Sequence, residues 1–526
     1  MMRIADRLPR LTRANIHPFV FAVYPVLSFY VNNMTMASPT EALRAVAFML
    51  ICAGLLWWLI DLAVRHRAKS GVIVSASATL FFAYGGTSLA LTNILVRLQW
   101  LERARFLIDA AYSEVLWLAL WGILFGAVFL LVARQKSDLH TATRFMNVAA
   151  LALLAMLGAR FATSAQDLLV RPRLRTQWQE QNTPQTIVSA PDELPDIYYI
   201  ILDAYGRADV LDEVYGLDNS EFLSQLTDRG FYVADHSRSN YAQTTLSLAS
   251  SLNLGYLDDL IGSLETVKDS RIPMHIMIED SKLVRFLRDI GYTIVEFESG
   301  YHFTRIEHDV QMTAFPRWSP SEFEEGLILL TPLSAVESTW ADYRRQRIEY
   351  TFEHLADPSR DSRPTFTFVH VLAPHSPILF DADGDPIPPR GQGSHAPVLN
   401  NQFIAYYSEQ LLYINKKLLP AIDAILSQST APPVIIVQAD HGPDTPTLGD
   451  KPRETVVRER MAILNALYFP RADYESLYEG ITPANTFMVL LNQYFNAEYQ
   501  LLEDRCFYSF YSAPYAFDDV TDLTAK

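Results

Sequence analysis

Cysteine is almost missing from this chain: Cys52 and Cys506 are the only two in 526 residues. They build neither a disulfide framework nor a thiolate metal site, and the redox compartment cannot be read from them. Internal repeats and low-complexity tracts are also lacking, which leaves out repeat architectures. Positive charge is scarce after residue 163. Residues 1–163 hold 15 Lys and Arg against 7 Asp and Glu, a surplus of +8; with −16 on the whole chain, the remainder carries −24. That acidic remainder lacks the basic footprint of a nucleic-acid binder. Its negative charge suits a divalent cation, or simply a solvated surface.

What the first part does have is long apolar runs, near 16–31, 45–64, 72–96, 115–132 and 145–161. A helix crosses a bilayer with about 20 apolar residues. Five runs exceed the single one of a signal peptide, and several are apolar all round, unlike helices of a soluble core. Their order predicts five transmembrane helices in a membrane domain over 1–163. Arg3, Arg7, Arg10 and Arg13 precede the first run; Arg65, Arg67 and Lys69 follow the second, and Arg134, Lys136 and Arg144 surround the fourth loop. Loop one, "NNMTMASPTE", has no Lys or Arg, whereas loop three carries Arg97, Arg103 and Arg105 against Glu102 and Asp109. The positive-inside rule then places the tail in the cytoplasm and everything after five crossings outside it. Residues 164–192 mix Arg, Gln and apolar residues, which predicts a juxtamembrane amphipathic helix and a polar linker.

From 193 to 526 short β-branched and aromatic runs alternate with helical patterns. "DIYYIILD" (196–203), "YTIVEFES" (292–299), "TFTFVHVLA" (365–373), "PVIIVQAD" (433–440) and "ALYFP" (466–470) read as strands. "SEFLSQLTDRG", "SKLVRFLRDIG" and "YSEQLLYINKKLLPAIDAIL" read as helices. This alternation predicts an α/β domain with a largely parallel sheet covered on both faces. "DADGDPIPPRGQGSHAP" (381–397) lacks the remaining positions of a calcium loop and reads as a solvated turn.

In such sheets, sites form beyond the carboxyl ends of strands. Two strands end in an acid here: "YYIILDAYGR" delivers Asp203, and "VIIVQADHGP" delivers Asp440 and His441. Two carboxylates and an imidazole suit Zn²⁺ or Mn²⁺. "SNYAQTTLSLASSLN" (239–253) offers Thr244 and Thr245, either of which gains nucleophilicity only beside such an ion; otherwise Thr244 merely caps a helix. "VVRERMAILNALYF" brings Arg458 and Arg460 before a strand, as phosphate contacts or as a solvated helix face. His236, His302, His308, His354 and His395 have no partner pattern.

The order of strand-Asp203, small-residue Thr turn, His-containing loop and strand-Asp440-His441-Gly442 resembles the alkaline phosphatase/sulfatase superfamily. With membrane helices ahead of it, the chain is similar to the branch of lipoteichoic acid synthases, phosphoglycerol transferases and phosphoethanolamine transferases. The resemblance implies an alkaline phosphatase/sulfatase-type α/β sandwich outside the inner (plasma) membrane. It also implies one divalent ion (Mn²⁺, Zn²⁺ or Mg²⁺) on Asp203, Thr244, Asp440 and His441. The family's Thr-x-x-Ser pattern selects Thr244, with Ser247 at the right offset, as nucleophile. "HVLAPHSP" implies His375 at the phosphate or leaving group, with His370 second; apart from the resemblance, Arg458 is a candidate substrate contact by its place before a strand. Asp203 stands where the transferases usually have Glu, one methylene longer. No Cys-x-Pro-Ser-Arg occurs, so the resemblance carries fold and metal site, not desulfation. The implied reaction moves a substituted phosphoryl group from a phospholipid donor to an envelope glycan or lipid acceptor through a phospho-threonine. Two alternatives stand beside it: a phosphatase or phosphodiesterase using water, and a non-catalytic membrane-anchored binding protein.

Overall fold

The computed structural model describes residues 15–34, 37–97, 114–182, 194–262, 270–306, 310–313, 320–360, 363–390, 400–445, 452–470 and 474–524. The arginine-rich tail, Arg103 and Arg105 of the third loop, the linker over 183–193, His308 and His395 lie outside them. The chain divides into two units, Met1–Leu169 with Pro320–Glu337, and Val170–Ser319 with Ser338–Lys526.

The first unit is helical: His17–Asn32, Pro39–Val64, Arg67–Arg97, Glu114–Arg134 and the start of His140–Gln181. Ser38 and Glu41 form a reciprocal cap that starts Pro39–Val64 after a proline-compatible first turn. Among the described residues three helices are long and apolar enough to cross a membrane, Pro39–Val64, Val115–Arg134 and His140–Thr163, with mean hydropathy 2.2, 2.6 and 1.7. The expected count of five is therefore not reached. His17–Asn32 has 16 residues, short of the usual span. Arg67–Arg97 is diluted by Ser, Thr and Gly and buries Ser70 and Ser75 against its neighbours. Polar contacts lie inside this unit: His17 Nδ1 is 2.6 Å from Ser75 Oγ, and Ser70 Oγ donates to Asp61 Oδ1 at 3.0 Å. Phe48, Trp58 and Ile123 face outward.

The segment Pro320–Glu337, far along the chain, belongs to this helical unit. Its helix Glu322–Leu329 begins on a second Ser–Glu cap, Ser321 with Glu324. Phe323 and Leu327 join Val26, Tyr30, Val31 and Leu157 in one apolar cluster. Gly85 N donates to Leu330 O at 3.1 Å, and a Cβ at Gly85 would fall 2.0 Å from Leu329 O, so only glycine permits this approach.

The second unit is built on a mixed seven-stranded sheet. Its strands are β1 (Ile197–Leu202), β2 (Tyr232–Val233), β3 (Thr293–Phe297), β4 (Val310–Thr313), β5 (Thr365–Val371), β8 (Val434–Gln438) and β9 (Asn465–Tyr468), in the order β2-β9-β8-β1-β5-β3-β4. The hairpins β6 (Ile378–Phe380) with β7 (Pro386–Arg390) and β10 (Phe507–Tyr508) with β11 (Asp518–Asp519) stand apart. β8, β1, β5, β3 and β4 run parallel, as the strand–helix alternation predicts; β9 runs antiparallel between β8 and β2. Strand periodicity sorts β1 between two cores. Ile197, Tyr199 and Ile201 enter one, with Leu246, Leu248 and Phe487; Tyr198, Ile200 and Leu202 enter the other, with Leu411, Ile414 and Ile422. Helices thus cover both faces.

Residues 170–181 continue His140–Gln181 as helix and bury Leu174 and Trp178, spaced four apart, in the first of these cores. Arg171 pairs with Glu279, and Trp178 Nε1 donates to Asp280 O at 2.9 Å. Leu174 and Trp178 are thus covered by protein, whereas Leu169 is exposed. The "DADGD" turn is closed on itself: Asp381 Oδ1 accepts from Asp383 N and Asp385 N, and Lys416 Nζ reaches Asp383 at 3.0 Å.

Candidate active site

Strand register assembles the site. Ile201 on β1 is level with His370 on β5 and with Gln438 on β8. The residues that follow, Asp203 after β1 and Asp440-His441 after β8, therefore arrive together at the carboxyl edge of three adjacent parallel strands. Backbone bonds hold them: Asp203 N donates to Val371 O, His375 N to Asp203 O, and Gly442 N to Arg460 O. Ala204 N donates to Asp440 Oδ1 at 3.1 Å. Ser239 Oγ lies 2.5 Å from the Asp440 carbonyl. Gly442 is required by the helix Arg453–Met461, whose Glu459 carbonyl would lie 2.1 Å from a Cβ there.

Asp203, Asp440 and His441 are buried, and each offers a ligand atom within 4.8 Å of the others. His441 Nε2 lies 3.3 Å from Asp440 Oδ2 and 3.7 Å from Asp203 Oδ1. Its Nδ1 is 2.9 Å from Gly442 O, which only accepts, so the proton sits on Nδ1 and Nε2 presents a lone pair. Asp203 Oδ1 and Asp440 Oδ2 are buried with no hydrogen-bond partner. Two orphaned carboxylate oxygens converging on an imidazole lone pair form the donor set of a divalent cation, and burying them without one is costly. Burial alone would raise the Asp203 carboxyl, but the imidazoles of His375, His370 and His441 outweigh it and hold it well below the usual range. Burial, reinforced by Arg460, pushes His441 down to about 4, which keeps Nε2 unprotonated.

Thr244 Oγ1 is 3.2 Å from His441 Nε2. Thr244 is the first residue of the helix Thr244–Ser251; the cap is Gln243, which makes no side-chain cap bond. The helix-cap reading of Thr244 is thus excluded. Thr245 is buried and its hydroxyl accepts from Arg271 Nη1 at 3.3 Å instead. Ser247 Oγ lies 3.3 Å from Ser239 Oγ, on the side that supports Asp440.

The other expected residues divide. His375 is half-buried; its Nδ1 lies 2.6 Å from Ser376 O, and its ring is 6.2 Å from that of His441. His370 Nε2 is 3.4 Å from Asp203 Oδ2, and its Nδ1 is 3.0 Å from Thr304 Oγ1. Arg458 goes elsewhere: it pairs with Glu213 and, at 2.9 Å, with Asp209. The arginine at the cluster is Arg460, with Nη2 3.0 Å from His441 Nε2 and Nε donating to Ala242 O at 2.7 Å. Two positions apart on one helix, the two side chains face different directions, and sequence spacing does not say which one faces the strand ends. Arg271 and Thr304 carried no sequence signal.

The sulfatase family profile matches residues 195–492, more than half of the chain. The chain belongs to the sulfatase family. Among solved structures, this sulfatase-family chain is similar to the C-terminal periplasmic domain of EcEptC from Escherichia coli in complex with Zn, at 14% identity over 64% of this chain and 96% of that one, TM-score 0.43. It is similar also to the integral membrane lipooligosaccharide phosphoethanolamine transferase A of Neisseria meningitidis, at 11% identity over 91% and 94%, TM-score 0.40. A third is the phosphonate monoester hydrolase of Agrobacterium radiobacter, at 12% identity over 60% and 80%, TM-score 0.40. No curated protein matches the chain in sequence. Membership in the sulfatase family establishes the fold; the reaction has to be argued from the site.

Proposed function

We propose that this chain is a multi-pass enzyme of the inner (plasma) membrane whose extracytoplasmic sulfatase-family unit transfers a substituted phosphoryl group from a phospholipid to an envelope glycan or lipid. The observation that carries the reading is the 3.2 Å approach of the Thr244 hydroxyl to His441, beside the two unpartnered oxygens of Asp203 and Asp440. Those four residues would hold one divalent cation, Zn²⁺, Mn²⁺ or Mg²⁺, which when bound lowers the hydroxyl's pKa and neutralises charge on phosphoryl oxygens. The basic first unit, with its apolar helices, supports the membrane placement and the orientation.

The remaining steps belong to the side chains. Thr244 Oγ1 forms a bond to phosphorus while the bond from phosphorus to the diacylglycerol oxygen breaks. His375, with Nδ1 on Ser376 O, presents Nε2 and in its protonated form delivers a proton to that departing oxygen. The proton lost by Thr244 passes to solvent, and His375 regains one in the second half-reaction. Arg460, held by Ala242 O and Gly442 O, aims a guanidinium at the same region and binds the equatorial phosphoryl oxygens. His370 orients Asp203. The N-terminus of the Thr244–Ser251 helix places the positive end of its dipole beside the developing charge. In the second half-reaction an acceptor alcohol attacks the phospho-threonine, and His375 takes up its proton.

Full-length protein incubated with mixed phospholipids and then measured by intact mass should carry an added substituted phosphoryl group on Thr244. Thr244→Ala should lose both the adduct and about 10⁴-fold in turnover or more. Full turnover by Thr244→Ala would remove that residue from the mechanism. Head-group release to water with no acceptor product would identify a hydrolase of the same fold.

A further inference from the structure

Among the described residues of the catalytic unit, the large apolar side chains standing exposed are Leu501, Phe510 and Tyr511, with Phe510 at 70% and Tyr511 at 61%. Two of the three sit together on a turn just past β10, where Phe510 also meets the Tyr508 ring edge-on at 5.8 Å. That turn is fastened to the residues on either side of Thr244. Gln243 Nε2 donates to Ser509 O at 2.9 Å, and Arg271 Nη2 donates to both Tyr511 O and Gln243 Oε1 at 2.8 Å. Arg271 Nη1 reaches Thr245, and its guanidinium stacks 3.8 Å from the centre of the Tyr511 ring. Arg271 is itself buried. A buried guanidinium fastened to the residues on either side of Thr244, under an exposed aromatic tip, fits a ligand that is anionic at one end and apolar at the other.

We infer that the 509–511 tip and Arg271 form the subsite for the diacylglycerol portion of the phospholipid donor. This rests on the phosphotransfer reading above, and it follows from the donor's chemistry. The phosphorus attacked by Thr244 is one ester oxygen away from the glycerol carbons, so the apolar part of the molecule begins beside that residue. The guanidinium complements the phosphodiester charge, and the Phe510 and Tyr511 rings cover hydrocarbon that would otherwise meet water. The tip thereby sets donor choice: it rewards long acyl chains, not a particular head group.

The test uses the full chain in detergent with dioleoyl and water-soluble dihexanoyl forms of phosphatidylethanolamine and phosphatidylglycerol. Phe510→Ser should lower the ratio of kcat/KM for dioleoyl over dihexanoyl donor by about tenfold, through KM, because a buried phenyl ring is worth at least that factor. Phe510→Trp should keep the ratio within about twofold of the parent, since an indole serves the same contact. A Phe510→Ser ratio equal to the parent's, or an equal loss on both chain lengths, overturns the subsite while leaving the phosphotransfer reading intact. Absence of turnover of every lipid by the parent protein, or full turnover by Thr244→Ala, overturns the parent reading and this subsite with it.

Discussion

The two units of this chain are inverted copies of one packing rule. In the helical unit Phe48, Trp58 and Ile123 face outward while His17, Ser70 and Ser75 are buried with polar partners. In the sulfatase-family unit Ile197, Tyr199, Phe366 and Ile436 are sealed inside, and ion pairs such as Arg229 with Asp423 lie at the surface. The first arrangement suits a bilayer and the second suits water. A bilayer offers hydrocarbon but no hydrogen bonds, and water offers the reverse. One exception in each unit marks something other than packing. Pro320–Glu337 joins the helical cluster from far along the chain, and Asp203 and Asp440 are buried with oxygens left unpaired.

The largest expected effect concerns those oxygens. Asp440→Asn should strip the bound divalent ion, measured by plasma mass spectrometry of the purified protein, and lower turnover by about 10³-fold or more. Tight metal binding by that variant would mean the unpaired carboxylates are packing accidents. Next comes a pH effect within the catalytic core. Burial raises Glu296 to about 8, against an ordinary value near 4.5. Between those values the folded chain holds a proton that the unfolded chain has lost, so this residue's contribution is complete below about 4.5 and fades as pH rises to about 8, by up to about 1.4 kcal/mol per pH unit. Glu296→Gln should therefore flatten the fall in Tm between pH 5 and 9, and an unchanged slope would assign that fall to other groups.

A smaller effect sharpens the contrast of surfaces directly. Ile123→Lys, on an outward face of the span Val115–Arg134, should cost about 2.5–3.5 kcal/mol in a membrane-insertion assay. Ser224→Lys, equally outward on the catalytic unit, should shift stability by less than about 0.5 kcal/mol. Equal costs at both positions would erase the distinction between the two surfaces. The smallest effect is Ser75→Ala, which takes the partner from His17 Nδ1 and should lower stability in detergent by about 0.6 kcal/mol, as seen for polar contacts between membrane helices.

Much of the architecture was legible where a local pattern does the work. "YYIILD" and "VIIVQAD" end hydrophobic strands abruptly in acids, and β1 and β8 place Asp203, Asp440 and His441 at one sheet edge. Thr244 was separable from Thr245 by the offset to Ser247, and the structure separates them differently: one hydroxyl reaches His441, the other Arg271. Arg458 shows the limit. It shares a helix with Arg460, and only the packing of that helix on Gly442 decides which guanidinium meets the cluster. Hydropathy along one segment likewise does not see that Ser70 and Ser75 of Arg67–Arg97 are buried against neighbouring helices, and among the described residues three helices, not five, are long and apolar enough to cross a membrane.

Composition and periodicity by themselves determined that an apolar basic first part precedes a longer acidic α/β part, and that two acids and a histidine close its strands. Those are properties of near neighbours in the chain, set by alternation and by charge. Only the tertiary structure decided that Arg460 joins them, that Arg271 ties an aromatic tip to the residues flanking Thr244, and that Pro320–Glu337 packs with helices some three hundred residues earlier. Such pairings arise from burial and hydrogen-bond satisfaction in three dimensions, and no spacing along the chain encodes them.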